Sequence, residues 1–177
     1  MPTNQQTNDR LTRSASLVVR LATVANRGFA LAVGLGLVAS LVASGPFAHL
    51  AERWFPGADV SSVMLGMRLE MLLGLAMAVV TDRILVALAQ VLASAGVGDP
   101  FVAGNATRLR TIGWWLLALQ LCEVPGALIG KSFPELGSAA PSWDFSIASW
   151  IAVLLVFVLA RVFEVGAGMR QELDGTV

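Results

Sequence analysis

From Gly28 to Leu50 the chain carries no formally charged side chain, and the stretch from Phe29 to Ala43 contains neither a charge nor a proline. About 20 apolar residues in helical form cross the hydrocarbon of a bilayer. Backbone polar groups in lipid have to be satisfied within the segment, so a stretch of this kind is confined to a helix. Three further apolar regions follow it. With 56% hydrophobic and only 14% charged residues, and a mean hydropathy of +0.73, the chain has the composition of a protein whose solvent is the membrane. A length of 177 residues leaves room for roughly four crossings joined by short connections in one compact unit. The expected fold is therefore all-α, a polytopic bundle of four transmembrane helices.

The first crossing is predicted over 28–50, its helix ending around Gly45 and Pro46, and a short polar connection from His49 to Ser62 follows. The second apolar region is interrupted by Arg68, Glu70, Asp82 and Arg83. No proline falls between Val63 and Ala95, so one long helix is expected, crossing over 63–83 with a cytoplasmic extension to 95. Gly98-Asp99-Pro100-Phe101 is a stop-and-turn signal, because Gly suits a helix C-terminus and Asp-Pro the start of the next helix. Asn105 is expected to cap the third helix, Ala106 to Ile129, which crosses over 108–129. Lys131 to Trp143, with Pro134 and Pro141, reads as a polar loop. The last crossing, 145–163, begins near Asp144 and emerges at Arg161, Glu164 and Arg170. Residues 1–27 then form an N-terminal segment and 28–177 the membrane domain, with no half-to-half repeat.

Arg10, Arg13, Arg20, Arg27, Arg83, Arg108, Arg110, Arg161 and Arg170 fall on the side of both termini, against Arg53, Arg68 and Lys131 on the other. Basic residues concentrate on the cytoplasmic side, so both ends are expected there. Met1 to Asp9 is polar and lacks the apolar core of a removable signal peptide.

Charge at membrane depth is costly and is usually paired, and a rise of about 1.5 Å per residue allows depths to be compared. Arg68 then lies about 6 Å, and Glu70 and Glu123 about 9 Å, from the outer ends of their helices, which predicts an Arg68–Glu123 pair. Asp82 and Arg161 fall at about 27 and 26 Å, near the inner interface, and Glu164, three residues after Arg161, joins them with Arg83. These groups read as ties that fix helix register; an ion or proton path is the other reading. Ala32, Gly36, Ser40 and Ser44 form a small-residue stripe suited to close helix approach, within the bundle or between copies in a homo-oligomer. Arg13, Arg20 and Arg27 recur every seven residues, a basic stripe for anionic headgroups or for a docked protein.

A single Cys122 and a single His49 leave no intrachain disulfide and no two-histidine metal or haem site. Phosphate-loop, His-Glu-x-x-His and serine-nucleophile patterns are absent. No catalytic, cofactor or metal residue is expected, and a net charge of zero gives no reason to expect direct nucleic-acid binding.

Gly98-Asp99-Pro100-Phe101, Asn105, Arg108-Leu109-Arg110 and Ile112-Gly113-Trp114, together with Leu159 to Gly166 and the ending Leu173 to Val177, resemble the bacterial domain-of-unknown-function 2975 family. The resemblance covers most of the chain from the first crossing onward. It implies a small four-helix inner-membrane protein whose gene has, as neighbour, a small helix-turn-helix regulator of the Cro repressor type. Both resembling segments lie on the side assigned to the cytoplasm, where they are expected to pack on the Ile84, Leu88, Val91 and Leu92 face of the second helix. The function expected is a non-enzymatic signalling or regulatory role in which this face binds a cytoplasmic protein. The alternative is a subunit of a small transporter or channel.

Overall fold

A computed structural model of the chain describes residues 3–96, 103–139 and 146–174. These form α1 (Thr3–Val42), α2 (Ser44–Trp54), α3 (Val60–Gly96), α4 (Ala103–Leu121), α5 (Glu123–Ser132), a 3-10 segment (Pro134–Ala139) and α6 (Ile147–Asp174). Four helical stretches are long and apolar enough to cross a membrane: Arg13–Val42, Val60–Ser94, Gly104–Ser132 and Ile147–Arg170. Leu17, Val24, Leu31 and Leu35 of α1 and Leu154 and Leu155 of α6 are exposed, the side-chain placement that hydrocarbon solvent allows and water does not.

Two prolines set the helix breaks. A proline inside a helix clashes with the carbonyl four residues before it. Pro46 does this to Val42, where α1 stops, and becomes the third residue of α2, where its missing N–H leaves nothing unsatisfied. Pro125 does the same to Leu121, where α4 stops; Cys122 N–H turns back to the Leu119 carbonyl at 3.1 Å before α5 begins. The predicted first crossing to Leu50 is thus corrected to an end at Val42, and the predicted polar connection after it begins as a helix. The predicted third helix is two helices. From Thr3 to Val42 the chain is one continuous helix, α1. The second helix is one piece, as the absence of proline requires.

The chain divides into two compact units. Unit 1 comprises Met1–Asn26, Val80–Ala118 and Ile147–Val177. Its core is Ala87 of α3, Leu109 and Ile112 of α4 and Ala160 of α6, with Ile84, Leu88, Leu116, Val156 and Phe163 against them. Ile84 and Leu88 are thus the part of the expected α3 face that enters this core. Gly113 admits the Phe157 ring, which stands edge-on to Trp114 with centroids 5.4 Å apart.

Unit 2 comprises Arg27–Val79 and Leu119–Ser146. Its core is Ala51 of α2, Val63 of α3 and Leu136 of the 3-10 segment, with Phe55, Met64, Met67 and Phe133 around them. The stretch predicted as a polar loop therefore supplies core residues. Of the small-residue stripe, Gly36 and Ser40 face α3, a Cβ on Gly36 coming within 4.0 Å of Met71 Sδ, whereas Ala32 and Ser44 are exposed. Asp59 caps α3: its carboxylate accepts from the Ser62 amide at 3.1 Å and from the Ser61 hydroxyl at 2.6 Å.

Candidate functional site

Polar side chains meet across helices in both units. In unit 1, Asn105 is fully buried inside α4, two residues past its start, so it does not cap the helix as expected. Its Oδ1 accepts from Arg108 Nη1 at 2.8 Å and lies 2.8 Å from the Ser94 hydroxyl of α3. That hydroxyl is also 2.8 Å from the Val91 carbonyl, and its single proton serves one acceptor at a time. A buried amide thereby joins α3 to α4 and holds the Arg108 guanidinium in place.

Further along α4, Arg110 Nη2 reaches Glu164 Oε2 of α6 at 3.0 Å, and Arg161 Nη1 reaches the same oxygen at 2.9 Å. One carboxylate answers two guanidinium groups, so the cluster keeps one positive charge. Its members are 42% to 71% exposed, so the cluster lies at the surface of unit 1 and not in its core. Depth arithmetic brought Arg161 beside Glu164, yet it paired Arg161 with Asp82 and Glu164 with Arg83. Among the described residues no ion pair joins Arg161 to Asp82, and Arg110 holds the position assigned to Arg83. Gly98, Asp99, Pro100 and Phe101 lie outside the described residues.

In unit 2, the expected Arg68–Glu123 pair is replaced. Arg68 donates from Nε to the Ser40 hydroxyl at 3.3 Å and from Nη2 to the Ser40 carbonyl. Ser40 in turn donates to the Leu37 carbonyl at 2.7 Å and is only 3% exposed. Glu123 opens α5, where a carboxylate in the first turn complements the helix dipole. Arg68 and Ser40 border a cavity of about 270 Å³ whose walls are otherwise apolar.

His49 is exposed, 3.5 Å from Glu52, and Cys122 is a free, half-buried thiol. Among the described residues no three His, Cys, Asp or Glu side chains are grouped as a metal site requires.

A family model described as "Protein of unknown function (DUF2975)" matches residues 52–177. No curated protein and no solved structure matches the chain.

Proposed function

The chain belongs to this family of proteins of unknown function, and we propose that it is a non-enzymatic protein of the bacterial inner membrane that holds a soluble protein at its cytoplasmic face. Eight of its 12 Lys and Arg residues fall in unit 1, the observation that carries the reading. Short segments rich in Lys and Arg stay on the cytoplasmic side during insertion, which puts unit 1 and both chain ends there. The exposed Arg110–Glu164–Arg161 cluster, with its uncompensated charge, supplies the contact surface for acidic groups of the partner. A small helix-turn-helix regulator, the gene neighbour implied by the family resemblance, is the partner class.

The test has two stages in a Cys122→Ala background. A membrane-impermeant maleimide applied to intact cells should label Pro56→Cys and leave Thr107→Cys unlabelled until the cells are opened; the reverse pattern refutes the orientation. A photo-crosslinking residue at Thr107 should capture a soluble helix-turn-helix protein, with capture lost in Arg110→Glu. Adducts with membrane proteins alone would remove the docking reading and leave the topology standing.

A further inference from the structure

We infer that the cavity of unit 2 is a binding site for a single-chain anionic amphiphile, a long-chain fatty acid, whose carboxylate lies on Arg68 and the first half of whose chain fills the space beneath α2. The inference is independent of the partner proposed for unit 1.

The cation comes first. Arg68 lies within a stretch of α3 able to cross a membrane, where an uncompensated charge is expensive. A guanidinium has five N–H donors in a planar fork. Ser40 accepts two of them, both with uncharged oxygens, and among the described residues no carboxylate lies within ion-pair distance of Arg68. Nη1 and the second Nη2 N–H remain, side by side at the end of the fork. That is the geometry a carboxylate accepts with its two oxygens. The Ser40 bonds fix the fork in advance, and Ser40 is itself anchored to Leu37.

The apolar space comes second. Phe47, Leu50, Ala51 and Trp54 follow one another at helical spacing along one face of α2, and all four line the cavity, while His49, Glu52 and Arg53 take the outer face. A short helix so divided belongs at the membrane–water interface. Met64, Met67 and Met71 of α3 line the cavity beside Arg68. Methionine walls adapt to a flexible chain, and the cavity is partly open, as a site filled from lipid requires. A volume of about 270 Å³ holds about nine groups of the ~30 Å³ that a water-sized unit occupies. The carboxyl-proximal half of one long acyl chain fills it, and the rest of the chain leaves through the open side of the cavity; two chains side by side do not fit. A single negative charge at the head and a single chain behind it describe a fatty acid rather than a two-chain phospholipid.

The experiment uses the full chain in phosphatidylcholine nanodiscs with a palmitic acid that carries a diazirine on its chain. Adducts should map to 47–54 and 64–71, saturate, and be displaced by unlabelled palmitate but not by hexadecanol. Arg68→Gln should weaken labelling about tenfold or more, the scale of a lost charged hydrogen-bond pair, while Arg20→Gln leaves it unchanged. Leu50→Trp, at a half-exposed position, fills the space with Arg68 intact and should also lower labelling, which separates occupancy from misfolding of the arginine variant. Labelling that does not saturate and spreads along the exposed faces of α1 and α6 would be ordinary lipid solvation and would overturn the inference. Equal labelling by a neutral-headed probe, or displacement by phosphatidylglycerol and not by palmitate, would overturn it as well.

Discussion

Gly66 sits where α3 meets Phe133 and Leu136, and replacing it with alanine sets two opposing effects against each other. A Cβ there would stand 2.7 Å from Leu136 Cδ1, 2.9 Å from Phe133 Cγ and 3.0 Å from Phe133 Cβ. The leucine methyl can swing aside, but the phenylalanine atoms are close to the backbone and cannot. Overpacking of this kind costs about 1–3 kcal/mol. Against it, alanine is favoured over glycine in a helix interior by about 1 kcal/mol. The net expectation for Gly66→Ala is a loss of roughly 0–2 kcal/mol. Gly74 lies eight residues on in the same helix, and a Cβ there meets nothing within 4 Å. Gly74→Ala should therefore show the helix-propensity gain alone, and the difference between the two variants isolates the packing cost of about 1–3 kcal/mol. Reversible unfolding by dodecyl sulfate in mixed micelles, followed by circular dichroism, measures both. If Gly66→Ala and Gly74→Ala agree within about 0.5 kcal/mol, Gly66 is not clamped against the 3-10 segment and the described core of unit 2 is wrong.

Asn105→Leu should cost about 1–3 kcal/mol in the same assay, because a buried acceptor of Arg108 is removed; a cost below about 0.5 kcal/mol would deny the amide its joining role. The Asp59 carboxyl is held below its usual range first by the Ser61 hydroxyl and then by the Ser62 amide, so its capping is in full force above the ordinary carboxylate value and is lost as pH falls through the lowered one. Hydrogen-exchange protection at the start of α3 should drop in acid and should show no such step in Asp59→Asn; a step surviving that change would belong to another group. A double-mutant cycle on Arg110→Gln and Glu164→Gln should give no resolvable coupling, as exposed ion pairs do. A strong coupling would place the pair in low dielectric and remove it from the proposed docking face.

The spans were legible because uncharged runs and the absence of proline carry them directly, which is why α3 is one helix despite four charges inside it. The breaks were legible too, but through the carbonyl four residues before each proline rather than through Gly45 or the proline itself. Side-chain partners were not, because depth along an axis says nothing of direction around it. Depth arithmetic set Arg68 near Glu123, yet the guanidinium turns to Ser40 of α1. Asn105 was misplaced for a smaller reason: α4 starts early enough to carry it inside, and an amide that would have capped a terminus bridges two helices instead.

The break at Ala43 also has a mechanical consequence. A rigid rod running from α1 into α2 would turn every push on the interfacial helix into a tilt of the spanning one. With Pro46 in the first turn of α2, the Val42 carbonyl is released from the hydrogen bond a continuous helix would give it, and the joint can flex at small cost. A displacement of α2 is taken up first at this joint, so α1 need not tilt with it.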